Sequence, residues 1–310
     1  MMRSRVQQRP SLLASGLLLV MGMMWGLQFA MLKLAARGGY SEPAVLLIAL
    51  VLLSIAFTAL LLLRGARLRL DARLLVFLLM IATLGYVIPL IATLATVPVL
   101  SAGVLSLVAC LSPVAALFAS VLMRTEHVAP RRVVAVALGL VSVALLLVPE
   151  LVLPEGGRTF WILVALLVPL CYGIESVYIA RHWPGGMSPL QVVTAQTIAA
   201  TLIVAPLCLI WAGPFPSLGP DGPGLPELGI AIFVIAGVVE SLIYLWLIRH
   251  TGGVFVNFGT FISLFAGIAW GIVLFGEAHP ATTWLAVAVL VLALGLAGQG
   301  SAGTSTSKRP

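Results

Sequence analysis

Two glutamates, Glu175 and Glu240, stand inside long apolar stretches of the chain. A carboxylate near the centre of a bilayer costs about 2.5 kcal/mol or more to insert, so such an acid marks an ion or substrate pathway before it marks stability. Tyr172, Glu175 and Tyr178 step by three, which on a helix makes one polar stripe. Glu240 has Ser241 beside it and Tyr244 four residues on, sharing its face. Trp25 and Gln28 lie three apart in the first apolar stretch, and Asn257 and Thr260 do the same in the ninth. Amides and hydroxyls at that depth suit the carboxylate and ammonium of a zwitterion. The rings of Trp25, Tyr86, Tyr172, Tyr244 and Trp270 suit side chains or a cation over a ring face. Each has a plainer use as well. The acids serve as protonated helix glue worth about 1 kcal/mol, and the rings serve as interface markers or filling for a bundle core.

The elements that must position these groups follow from composition. Of 310 residues, 61% are hydrophobic and 9% charged, against roughly 25% charged in an average soluble chain. About 20 apolar residues span a bilayer. The apolar segments 12–36, 43–63, 74–94, 98–123, 131–149, 159–180, 188–212, 228–248, 253–275 and 281–299 therefore predict ten helices. Arginine-rich, proline or glycine stretches separate them, the longest running from Gly213 to Pro226. The Ser/Thr/Gly-rich tail 301–310 is expected to be disordered. Arg3, Arg5 and Arg9 precede the first apolar run as in a signal peptide, but that run is too long for one and is expected to stay as a span.

Charge placement fixes the expected topology. With ten spans, one side receives Arg3, Arg5, Arg9, Arg64, Arg67, Arg69, Arg73, Arg124, Arg131, Arg132, Arg181, Arg249, Lys308 and Arg309. The other receives Lys33, Arg37 and Arg158. That segregation predicts both termini in the cytoplasm of a bacterial-type inner membrane. It also turns the net charge of +7 into a topology signal rather than a nucleic-acid surface. An internal repeat adds to this. Trp25-Gly-Leu-Gln28 aligns with Tyr172-Gly-Ile-Glu175, and Gly38-Gly-Tyr-Ser41 with Gly185-Gly-Met-Ser188, both at an offset of 147. Glu126-His-Val-Ala-Pro130 aligns with Glu277-Ala-His-Pro280 at 151. Five spans per copy force the second copy to run inverted, as in many secondary transporters. The expected fold is an all-α polytopic membrane protein of ten transmembrane helices. It divides into a first five-helix repeat over 1–155 and an inverted second repeat over 156–300.

These features resemble the drug/metabolite transporter superfamily in its ten-helix EamA-type branch. The likeness rests on Trp25-Gly26 followed by Lys33, on Glu126 and Glu277 closing the fourth and ninth spans, and on Gly139 and Gly295 in the fifth and tenth. The resemblance implies a basket of helices around a central cavity with the fifth and tenth helices peripheral. Among the branch, YddG-like exporters of amino acids and related metabolites are nearest in function. Four-helix relatives carry a glutamate in their first helix. Here that position holds Gln28 in the first repeat and Glu175 in the second, so at most one proton could be coupled there.

The remaining groups narrow the chemistry. Pro89, Pro113, Pro169 and Pro206 interrupt spans three, four, six and seven and are candidate kinks or hinges. Glu126 and Glu277 read as structural, and His127, His182, His250 and His279 lack ligand spacing. Cys110, Cys171 and Cys208 are expected as small buried hydrophobes. No metal, cofactor or ATP-binding signature is present, and no nucleophile–base pair accompanies the two acids. The reading is a non-enzymatic secondary transporter, expected monomeric in the lipid bilayer, exporting small polar metabolites, amino acids first among them, by alternating access. An importer or exchanger of another metabolite or a cationic compound, proton-coupled through Glu175 or Glu240, is the rival. A non-transporting scaffold or receptor is the alternative of a different class.

Overall fold

The computed structural model describes residues 12–68, 72–96, 99–100, 105, 108–125, 130–147, 159–211, 223–276 and 281–298. Its regular elements are helices: α1 (Leu12–Arg37), α2 (Glu42–Leu63), α3 (Ala72–Ala82), α4 (Ile88–Thr96), α5 (Ser112–Leu122), α6 (Pro130–Leu147), α7 (Thr159–Ala165), α8 (Leu167–His182), α9 (Pro189–Trp211), α10 (Leu225–Thr251), α11 (Gly253–Val256), α12 (Gly259–Phe275) and α13 (Ala281–Gly298). A π-helical turn over Thr83–Val87 joins α3 to α4. Among the described residues seven helices or helix pairs are long and apolar enough to cross a membrane, and shorter apolar helices occupy Ser112–Leu122 and Trp284–Leu296. The chain is a multi-pass membrane protein. Glu126, His127, Glu277, His279, Arg158 and the tail from Gly300 lie outside the described residues.

Local chemistry ends these helices where the sequence breaks. Ser41 caps α2, its hydroxyl accepting from the Ala44 amide at 3.4 Å, and the turn before it is made at Gly39 with φ of 85°. Glu227 Oε2 accepts from the Gly224 amide at 2.7 Å at the start of α10. The same carboxylate takes the Tyr40 hydroxyl at 2.9 Å, which ties the α1–α2 turn to the head of α10. Burial and that hydrogen bond push the Tyr40 phenol above its ordinary range.

Helix α1 lies against α10 and α12, α2 against α9, α5 against α8, and α6 against α13. Small residues allow the closest of these crossings. A Cβ added at Gly26 would stand 2.5 Å from the Ala266 Cβ, and one at Gly173 would stand 2.6 Å from the Ala116 amide and 2.7 Å from the Ala115 Cβ. Gly26 and Gly173 are 147 residues apart, and Ala115 and Ala266 are 151 apart. Where α2 meets α9, the Ser54 and Thr201 hydroxyls share a hydrogen bond of 2.9 Å, again across 147 positions. Where α6 meets α13, Ser142 Oγ donates to the Ala286 carbonyl at 2.5 Å.

Around these crossings a core gathers Met21, Phe57, Ile81, Leu245, Phe255, Phe258 and Phe261, each almost fully enclosed. Leu63, Phe118, Leu202, Ile210 and Val273 turn outward and are among the most exposed side chains. An apolar exterior of that kind faces lipid.

Replacing Gly26 by Leu forces an overpacked crossing and should lower stability by about 1–3 kcal/mol. Gly295→Leu is the control, because nothing lies within 4 Å of a Cβ there. Thermal unfolding in detergent checks the pair, and equal midpoints for the two variants would mean that α1 and α12 do not cross at Gly26.

Candidate functional site

Glu175 sits in α8, seven residues before its end at His182, with 4% of its surface exposed. Its Oε1 accepts from Gln196 Nε2 of α9 at 3.0 Å, and its Oε2 from the Tyr244 hydroxyl of α10 at 3.4 Å. No basic side chain partners it among the described residues. A buried ionised group that lacks a counter-charge costs several kcal/mol. Neutral donors offset only part of that cost.

The third wall beside Glu175 comes from the π-helical turn. Gly85 lies within it, and a Cβ built there would stand 2.6 Å from Glu175 Oε1 and 3.0 Å from its Cδ. The turn has a local cause. Pro89 carries no N–H to close on the Gly85 carbonyl four residues back and its ring opposes the α-helical register. The Ile88 amide instead reaches the Thr83 carbonyl, five residues back.

Glu240, half-buried in α10, accepts from Ser241 Oγ at 3.1 Å and from the Trp25 side chain of α1. The Trp25 and Tyr244 rings are 6.0 Å apart, tilted by 46°. Tyr86, Tyr172 and Tyr244 each lie within electrostatic range of both Glu175 and Glu240. The structure therefore brings Trp25, Tyr86, Tyr172, Glu175, Glu240 and Tyr244 to one place at the meeting of α1, the π turn, α8 and α10.

A cavity of about 200 Å³ reaches this place. Its wall includes Glu42 at the head of α2, Gly85, Tyr86, Pro89, Thr93, Tyr172 and Phe233. Tyr172 keeps 37% of its surface open. Aromatic contacts gather toward the C-terminal end of α8. The Phe77 ring stacks on Tyr178 at 5.8 Å, Tyr178 lies 4.3 Å from the His182 ring, and the Arg249 guanidinium lies 5.5 Å over Trp183.

Of the expected site residues, Tyr86 and Tyr172 line the cavity, Trp25, Glu175, Glu240 and Tyr244 gather beside them, and the other four are placed elsewhere. Tyr178 belongs to the aromatic stack just described. Gln28 Nε2 donates to the Phe233 carbonyl at 3.3 Å, one residue behind the wall. Asn257, buried, donates to Ser176 Oγ at 2.6 Å and to the Gly253 carbonyl at 2.7 Å, which holds the break between α11 and α12 against α8. Trp270 Nε1 donates to the Met23 carbonyl at 3.1 Å, so it fastens α12 to α1. Sequence reasoning missed Gln196, Gly85 and Glu42. An amide inside the seventh apolar segment was a signal for the first. A glycine four residues before an intraspan proline was a signal for the second. Glu42 follows Ser41 and reads as the opening of a helix, which hides its place at the cavity.

Comparison with known proteins agrees with this architecture. A solved crystal structure, described no further than as that of a protein, superimposes with a TM-score of 0.70 at 21% identity, over 92% of this chain and 97% of the other. Its likeness concerns the fold. No curated protein matches the sequence. Residues 12–148 match the family model described as EamA-like transporter family. Over that segment the chain is similar to the EamA-like transporter family, a family of membrane transporters, in line with the drug/metabolite transporter superfamily.

Proposed function

We propose that the protein is a secondary transporter that exports small polar metabolites, amino acids first among them, by alternating access. The observation that carries this reading is the cavity lined by Gly85, Tyr86 and Tyr172, with the carboxylates of Glu175 and Glu240 close behind. An ammonium group supplies the charge that Glu175 lacks and can lie over a tyrosine face. On this reading the aromatic cluster of Phe77, Tyr178 and His182 is the counterpart that must open when the cavity closes.

The proposal includes ten spans in two inverted five-helix repeats with both termini cytoplasmic. The paired crossings at Gly26 and Gly173 support the repeat, as does the Ser54–Thr201 bond across 147 positions. The basic residues support the orientation, since Arg64 and Arg249 close helices at one end while Lys33 and Arg37 lie at the other. The aromatic stack then faces the cytoplasm, and the cavity faces outward. Reporters fused at the C-terminus and in the 37–42 turn should give cytoplasmic and external signals respectively. A cytoplasmic signal from both would overturn the ten-span topology.

The second reading is proton-coupled import or exchange of a metabolite or cation, and one observation favours it. Glu175 is held by two neutral donors alone, so a proton relieves its burial as well as an ammonium does. Flux of radiolabelled amino acids into proteoliposomes, with and without an imposed pH gradient, separates the readings. Downhill flux without the gradient is expected of the facilitated exporter, and flux only with it makes Glu175 or Glu240 the proton carrier. Glu175→Gln should lower kcat/KM by about tenfold or more, the scale of losing one hydrogen bond to a charged group. Glu240→Gln, whose acid is less enclosed, should lower it less. Wild-type rates in both variants would remove the two acids from transport, and no flux for any amino acid would remove the substrate assignment.

A further inference from the structure

We infer that Gly85 is a specificity-determining position, whose missing side chain leaves room for the Glu175 carboxylate beside the cavity, where an ammonium group meets it. The inference rests on the transporter reading above and adds to it the residue that places the recognising group.

Three observations combine. Gly85 both lines the cavity and touches the carboxylate, with Oε1, Cδ and Oε2 at 2.6, 3.0 and 3.3 Å from a Cβ built on it. These atoms end a flexible side chain, so a methyl group at 85 displaces the carboxylate rather than the backbone. The carboxylate's other contacts are single hydrogen bonds from Gln196 and Tyr244, on two further helices, and they cannot follow it without lengthening. The third observation is the π turn, which with Pro89 sets this glycine at the register where its bare Cα faces α8.

The other half of the molecule supplies a comparison. A Cβ at Gly237 of α10 would stand 3.2 Å from Nε2 of Gln28, the residue that aligns with Glu175. There the neighbour is a neutral amide bonded to a backbone carbonyl, and it has no charge to present. Crowding Gly237 therefore should not alter charge selection, whereas crowding Gly85 should.

The test is a double-mutant cycle in proteoliposomes with a radiolabelled amine substrate, comparing wild type, Gly85→Ala, Glu175→Asp and the double variant. Gly85→Ala should raise KM about tenfold with a smaller change in kcat. Aspartate is one methylene shorter and withdraws from the added methyl, so in the Glu175→Asp background the same change should raise KM less than about threefold. Gly237→Ala should leave KM for the amine near wild type. An unchanged KM in Gly85→Ala, or an equal rise in both backgrounds, overturns the inference while leaving the transporter reading intact. Absence of amine flux in the wild type fails the transporter reading first. Should Gly85→Ala not be recovered as a monodisperse protein, the double variant against Glu175→Asp decides alone. Near-equal KM values support the inference, and a tenfold gap overturns it.

Discussion

The centre of this bundle is organised around one buried carboxylate, Glu175, that has no counter-charge among the described residues. Glu175 could have been neutralised by an arginine, and the chain has many, but they stand at helix ends and between spans. What surrounds it instead is an amide, a phenol, a bare glycine and a second acid. An ion pair would have closed the site permanently. Neutral donors orient the carboxylate and, on the transport reading proposed above, leave its charge for a cargo that arrives and departs. The same economy explains the rings. Tyr86, Tyr172 and Tyr244 can share a cation's charge through their faces without binding it so firmly that release becomes slow.

The scaffold that holds this group depends on small residues rather than on hydrophobic force. Lipid is as apolar as leucine, so helices in a membrane associate through close packing and interhelical hydrogen bonds. Gly26 against Ala266 and Gly173 against Ala115 and Ala116 bring backbones together at two equivalent crossings. Hydroxyl bonds such as Ser54 to Thr201 and Ser142 to Ala286 add direction where side chains alone would slide. Asn257 and Trp270, expected at the cavity, do this work instead: each bonds across to a neighbouring helix. Their amide and indole signals were legible in the sequence. Their use was not, because periodicity fixes a helix face without naming the neighbour that meets it.

Helix positions were largely legible. Apolar length against bilayer thickness placed α1 at 12–36 where it runs Leu12–Arg37, and the seventh segment at 188–212 where α9 runs Pro189–Trp211. The interruptions inside spans were foreseen only as prolines. Pro89 makes a π turn and not a simple kink. Pro206 lies within an α9 that runs unbroken. Of the polar stripe Tyr172, Glu175 and Tyr178, the first two reach the cavity region and the third is claimed by Phe77 and His182. A step of three turns each successive side chain about 60° around the helix and moves it some 4.5 Å along. Over six residues that carries Tyr178 past the cavity. The glutamine that holds Glu175 comes from a helix distant in sequence, and nothing in a single sequence pairs 196 with 175.

The repeat proposed above would carry an undoubled site, and the difference has a physical consequence. Gln28 and Glu175 occupy aligned positions, and each faces a glycine on a neighbouring element, Gly237 and Gly85 respectively. The amide spends its donor on the Phe233 carbonyl. The acid keeps its charge. Two acids at equivalent depth would repel each other across the bundle axis and would cost a second desolvation. On the proposed reading, one acid and one amide retain a symmetric packing in which the halves can exchange roles, while only one helix needs to follow the charge state of the cargo. On this view the second acid, Glu240, is tolerable because Ser241 and Trp25 donate to it and because it is less enclosed. On the proposed transport reading, an asymmetric charge inside a near-symmetric frame separates the two tasks: the frame moves, and Glu175 selects.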